Sequence, residues 1–390
     1  MSVRRVVVWV GVVALAAVAG TAVARRRVPE GLVDWGLAGR TARRLAGEPV
    51  GWRADDELTG HYDSIVRESF AAVSAYTGEA MEVGSDEVRV LGRADWIEAN
   101  LVNFERLLAP LAVAYGQTRS GSGALGRVAA HGTRYTVTAQ IGLLLGYLGR
   151  RVLGQYDIPI LDAEAEWAGI YFVEPNIARV AAKAGVDLEA LRMWVALHEA
   201  THAYQFRVGD PPWLRGYTAG LIQDYLAEAI RALESGEGLG ERLRDMWRRF
   251  DTDDPSGSGL MRLALTDGQA ESLGRIQALM TVMEGFSNHV MRATGRTVIP
   301  EYEVLERRMK AREEARGASS RVLNRLLGLD LKLEQYKVGE AFVEKVVELR
   351  GLEFMNGVWR GAEMLPTLEE TRDAEGWIER IEGRGERAEE

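Results

Sequence analysis

VALHEATHAYQF, residues 195–206, sets two histidines four positions apart, with a glutamate directly after the first, in a run that holds no other charge. Asp187, two residues after Gly185, is a suitable N-cap. No breaker follows until Gly209-Asp210-Pro211-Pro212, so the stretch reads as part of a helix of about five turns from Leu188 to Phe206. Positions i and i+4 of a helix share one face about 6 Å apart, which lets the imidazoles of His198 and His202 converge on one ion. Glu199 points about 100° away from His198 around the axis. That offset keeps its carboxylate off the metal and within reach of a bound water, the position of a general base in metallohydrolases. The bland reading is a buried histidine pair satisfied by hydrogen bonds.

A zinc site needs a third protein ligand. The segment GRIQALMTVMEGFSNHVMR holds a single acid between Arg275 and Arg292, Glu284, among apolar neighbours. An unpaired charge in such a helix is expensive to bury, so this carboxylate is expected to pair or to bind metal. His₂Glu with water in the fourth place is the pattern that follows. His289, five residues on, is the alternative ligand or a polariser of the transition state. The donor that would stabilise an oxyanion is open among His289, Tyr217, Arg215 and Tyr302. His61 and His131 stand in unconnected contexts.

Composition narrows the classes. The chain has 390 residues, 47% hydrophobic, enough for a large core. With no cysteine there are no disulfides, thiolate ligands or cysteine nucleophile, and any metal must be held by His, Asp or Glu. Residues 28–390 carry 43 basic against 57 acidic side chains, a balance that disfavours nucleic acid as a partner. Gly121, Gly123 and Gly126 spell G-x-G-x-x-G but follow a helical pattern and lack the downstream acid, so they read as a loop.

The start differs from the body. Val6 to Ala24 are 19 uncharged, mostly apolar residues between Arg4-Arg5 and Arg25-Arg26-Arg27. That length suits a membrane-spanning helix. Ala22-Val23-Ala24 resembles a cleavage site, so a removed signal peptide is the rival reading. The arginines on the C-terminal flank lean towards a cytoplasmic body, with export as the alternative.

Elsewhere the dominant period is helical, as in LVNFERLLAPLAVAY and KVGEAFVEKVVEL. Thr136 to Leu148 reads as a buried helix in which Gly142, Gly146 and Gly149 permit close approach of a neighbour. GIYFV, residues 169–173, is the clearest strand, expected to form a hairpin with DIPIL, residues 157–161, and to offer an edge to a substrate backbone. The fold class expected is mainly α, with a small β-hairpin before the active-site helix and an N-terminal hydrophobic helix. The domain limits are a segment 1–27, a single domain 28–382 and a polar tail 383–390.

LHEATHAYQF followed by PPWLRGY, the EGFSNHVM segment, and the C-terminal KLEQYKVGEAFVEKVVELRGLEFMNGVWRGAEMLPTLEETRDAEGWIERI resemble a bacterial family of zincin-like hydrolases. VDWGLAGRTARRLA and YFVEPNIA fit the same family, so the resemblance spans residues 33–381. Its members are labelled zinc-dependent metalloprotease or deazaflavin coenzyme F-420 biosynthesis-associated protein. The resemblance implies zinc on His198 and His202, Glu199 as acid/base and Glu284 as third ligand. The activity expected is amide hydrolysis of a peptide. The rivals are a zinc amidase acting on a small molecule and a membrane-tethered binding protein with structural zinc.

Overall fold

The computed structural model describes residues 31–47, 52–82, 84, 87–117, 124–157, 169–208, 213–235, 267–312 and 332–389. Val6–Ala24, most of DIPIL and the GDPP turn lie outside them. Among the described residues no helix is long and apolar enough to cross a membrane. The chain groups into two compact units.

The first unit contains helices α1 (Trp35–Ala46), α3 (Arg93–Gln117) and α4 (Ala124–Gly149). Asp34 caps α1 by accepting from the Leu37 N–H at 2.8 Å, and Gly47, at φ 59°, ends it in the left-handed region. Of the buried residues of α1, Ala38 faces Gly142 of α4 and Ala42 faces Gly146. A Cβ added at Gly142 would lie 3.0 Å from the Ala38 carbonyl oxygen, and one at Gly146 2.8 Å from the Leu45 Cβ. Backbone therefore meets backbone, as the glycine spacing requires.

The second unit holds α2 (Asp56–Thr77), β1 (Val88–Leu91), β2 (Gly154–Asp157), β3 (Gly169–Val173), α5 (Glu174–Ala184) and α6 (Leu188–Arg207). It continues with α7 (Leu214–Ser235), which passes into the first unit after Glu228, α8 (Asp267–Val298), a helix over 302–312, α9 (Lys332–Asn356) and α10 (Ala374–Glu389). The three strands form one sheet in the order β1-β3-β2, with β1 parallel and β2 antiparallel to β3.

Two expectations about GIYFV are corrected here. Its antiparallel partner is Gly154–Asp157, with Tyr156 opposite Ile170, so pairing begins three residues before DIPIL and uses a stretch with every N–H available. DIPIL carries Pro159, which has no N–H to give a ladder. GIYFV is also the central strand, paired on both sides and buried along its whole length, so it has no edge to offer a substrate. The parallel strand VRVL escaped the sequence reading because four residues give too little alternation to stand out. Residues 383–389, expected as a polar tail, continue α10, which is anchored by buried Trp377, Ile378 and Ile381.

Behind the sheet, the Tyr62 hydroxyl of α2 donates to Glu174 at the start of α5 at 2.5 Å, and Arg192 of α6 pairs with the same carboxylate. This buried pairing ties α6 to the elements beneath it. On the other side α6 packs against α8, with Tyr204 stacked on Phe286 at 5.7 Å and Phe286 edge-on to Trp359.

Candidate metal centre

Asp187 caps α6 as its position requires, accepting from the Ala190 N–H at 2.8 Å. Four residues of helix bring the Nε2 atoms of His198 and His202 to 3.1 Å from each other. Glu284 projects from the middle of α8 and places Oε2 3.7 Å from the His198 Nε2. One ligand atom from each of the three lies within 4.8 Å of the others.

The hydrogen bonds around these side chains settle which nitrogens face the cluster. Gln205 donates its Nε2 to the Met283 carbonyl at 2.8 Å, which fixes its amide so that Oε1 is turned to the His202 Nδ1, 2.9 Å away. His202 therefore donates from Nδ1 and keeps a lone pair on Nε2. His198 Nδ1 lies 3.0 Å from Ser287 Oγ and 3.2 Å from Met291 Sδ, two groups able to accept its proton. Burial, followed by the charge of His202, holds the His198 pKa well below the usual range, so the ring stays neutral. Glu284 Oε2 is buried and has no hydrogen-bond partner among the described residues. The Nε2 atoms of both imidazoles and a carboxylate oxygen with no hydrogen-bond partner among the described residues thus meet at one point. That donor set fits a divalent cation such as zinc.

Glu199 is 4% exposed. Its Oε2 accepts the backbone N–H of Tyr156 in β2 at 2.7 Å. The approach of β2 depends on Gly154, where an added Cβ would stand 2.5 Å from Glu199 Oε1 and 2.6 Å from Val195 Cγ1. Burial pushes the Glu199 carboxyl up to about 7, with His202 and the Tyr156 N–H drawing it down and Glu284 adding to the rise. A carboxylate poised there is matched to taking and returning a proton near neutral pH.

The remaining candidates fall elsewhere. His289 sits on a different side of α8 from Glu284 and hydrogen-bonds through Nε2 to the Tyr76 hydroxyl at 2.8 Å, outside the cluster of three. Tyr217 packs edge-on against Trp213 and under Arg275, and Tyr302 is buried against Gly295. Arg215 acts electrostatically on the Tyr156 phenol. His61 pairs with Glu189 on the surface, and the side chain of His131 is not among those described. Sequence reasoning missed Gln205, Ser287, Gly154 and Tyr156. The first two were within reach, since each lies three residues after a ligand position and so on the same helix face. The last two follow only from strand placement.

A sequence profile described as zincin-like metallopeptidase matches residues 33–378. The chain belongs to that family. Among solved structures it is similar to a protein of novel fold from Chloroflexus aurantiacus that is described as a candidate hydrolase. The two are 35% identical with a TM-score of 0.65, over 90% of this chain and 99% of the other. No curated protein matches. Membership of the zincin-like family agrees with the His-His-Glu cluster and supports a zinc hydrolase in general terms.

Proposed function

We propose that the protein is a zinc metallopeptidase that hydrolyses amide bonds, with His198, His202 and Glu284 as metal ligands and Glu199 as general base and acid. The observation that carries this reading is the pairing of a His-His-Glu cluster able to hold a metal ion with a buried carboxylate on the residue next to a ligand. Zinc, when bound, supplies a Lewis acid that acidifies water and polarises a carbonyl. Gln205 and Ser287 hold the two imidazoles in the tautomers that present Nε2. Glu199 takes a proton from the attacking water as its oxygen bonds to the carbonyl carbon, then delivers that proton to the amide nitrogen as the C–N bond breaks. β2, the outer strand beside Glu199, takes the place first given to β3 as the backbone against which an extended substrate is aligned. The apolar run Val6–Ala24 is read as a membrane anchor.

The test is Glu199→Gln beside wild type, both loaded with zinc, on unfolded proteins, short peptides and small amides. Zinc content stays equal and peptide hydrolysis falls by about 10²–10⁴-fold, the usual worth of acid–base catalysis. Equal activity in the two proteins overturns the assignment of Glu199. Turnover confined to small amides replaces peptidase with amidase.

A further inference from the structure

The half-buried residues of α6 fall in a row. Between Val195 and Gln205 every side chain is buried except His198 and His202, and the same spacing continues to half-buried Trp194 before them and half-buried Phe206 after them. Steps of four residues along a helix form one ridge, so Trp194, His198, His202 and Phe206 make a single partly exposed strip with the two ligand positions in its middle. The ring of Trp194 lies nearly parallel to that of His198, 9° apart in plane and 6.3 Å between centroids, and His198 meets His202 edge-on at 4.5 Å. Phe206 in turn leans on Tyr156 of β2 at 6.0 Å.

Across from this strip α8 repeats the pattern. Glu284 is half-buried between buried Met283 and Gly285, and Met280 and Asn288, one turn before and after it, are half-buried too. The two helices run in opposite directions, since His198 meets Ser287 while Gln205, later on α6, meets Met283, earlier on α8. Met280 therefore lies towards the Phe206 end and Asn288 towards the Trp194 end. β2 covers α6 at Val195 and Glu199, and α8 covers it at Tyr204 and Gln205, so among the described residues the strip is the part of α6 left open between strand and helix. Charge is absent from it beyond the metal centre. Apart from histidine, the stretch between Arg192 and Arg207 holds no charged residue but Glu199, and that between Arg275 and Arg292 none but Glu284.

We propose that Trp194 and Phe206 determine specificity, each giving an apolar face to a substrate side chain on its own side of the metal, so that the bond cleaved is one flanked by bulky apolar residues. The inference rests on the hydrolase reading above and names its substrate class. From Trp194 to Phe206 is about 18 Å along the helix axis, the length of about five residues of extended chain. Either ring is thus within reach of the side chains near the bond that the metal centre addresses. An apolar side chain laid on these rings leaves water at a gain in free energy. A charged one would leave water and find no opposite charge on the strip.

Hydroxamates chelate zinc and need no turnover, so their binding to the full-length, zinc-loaded protein tests this. Calorimetry compares acetohydroxamate with a hydroxamate that carries phenylethyl arms on both its carbonyl carbon and its nitrogen, and with one that carries carboxyethyl arms there. In wild type the phenylethyl probe binds about tenfold tighter than acetohydroxamate, or more, and the carboxyethyl probe gains nothing. Trp194→Ala and Phe206→Ala each cut that preference severalfold, and Trp194→Phe keeps most of it. Zinc content and acetohydroxamate binding report on the metal centre itself. Equal affinity for the three probes in wild type, or a preference that survives both alanine substitutions, overturns the specificity assignment and leaves the hydrolase reading standing. Failure of every hydroxamate to bind zinc-loaded wild type overturns both. Where an alanine variant loses zinc, Trp194→Gln or Phe206→Gln is read in its place, and an undiminished preference there overturns the assignment.

Discussion

The distance of 2.5 Å between Glu199 Oε1 and the place where a side chain at Gly154 would begin makes a glycine a condition of the site. Gly154→Ala has to displace either β2 or the Glu199 carboxylate, and the second is the softer. Zinc content should then be unchanged, because no ligand is touched, while kcat falls with little change in KM. Metal analysis beside steady-state kinetics checks it, and parallel loss of zinc would show that the strand also supports the ligands. Gln205 poses the complementary case. Its amide is fixed by the Met283 carbonyl and in turn holds the His202 Nδ1–H. Gln205→Leu removes that acceptor and frees the ring to rotate or change tautomer, so zinc affinity should fall about 10–100-fold, the usual effect of losing an outer-shell partner. Competition with a chromophoric chelator measures it.

At the scale of elements, what the sequence made legible was what depends on neighbours along the chain. The cap, length and histidine spacing of α6 follow from Asp187, the unbroken pattern to Phe206 and the helical period, and the structure reproduces them with the helix running one residue further, to Arg207. Glu284 was legible as the single acid between Arg275 and Arg292 in an apolar stretch, and α8 brings it to the two histidines. The partner of β3 was not, because Pro159 marks DIPIL as a poor ladder strand without naming its replacement, and GQYD serves because Gly154 lets the strand lie over Val195 and Glu199 on α6. The crossing of α8 and α9 was hidden for the same reason. A Cβ at Gly339 would stand 2.0 Å from the Thr281 carbonyl oxygen, and one at Gly285 2.2 Å from the Gly339 carbonyl carbon, so these helices touch through backbone next to Glu284. Gly339→Ala must push them apart. It should lower stability by about 1–3 kcal/mol, as overpacking does, and weaken zinc binding as α8 moves. Urea unfolding of the metal-free and zinc-loaded forms separates the two effects, and a variant with wild-type stability would show the contact to be adjustable.

For the molecule as a whole, pH is the variable that tests how the C-terminal region is held on. Thr367 and Glu370 form a reciprocal cap, the Thr367 N–H donating to Glu370 Oε2 at 2.8 Å and the Glu370 N–H to Thr367 Oγ1 at 3.2 Å. Arg380 of α10 reaches back to the same carboxylate through Nε at 2.6 Å and Nη2 at 3.0 Å, and also donates to the carbonyls of Glu363 and Leu365. Burial alone would raise the Glu370 pKa, but the Arg380 hydrogen bond, the Thr367 N–H and the Arg380 charge outweigh it, and the folded-state pKa lies below the usual carboxylate range. A carboxylate depressed on folding favours the native state at every pH above its unfolded value. That contribution is lost as pH falls through the folded one. Glu370→Gln keeps an acceptor for the Thr367 N–H and removes the charge facing Arg380. At neutral pH it should therefore cost about 1.5–3 kcal/mol, the range for hydrogen bonds to charged groups. As pH drops below the ordinary carboxylate range, wild type should lose its advantage until the two proteins unfold together. Paired thermal melts from neutral to acid pH check this. A gap that stays constant down to acid pH would mean that the glutamine variant loses packing or capping, and that the charge on Glu370 contributes nothing.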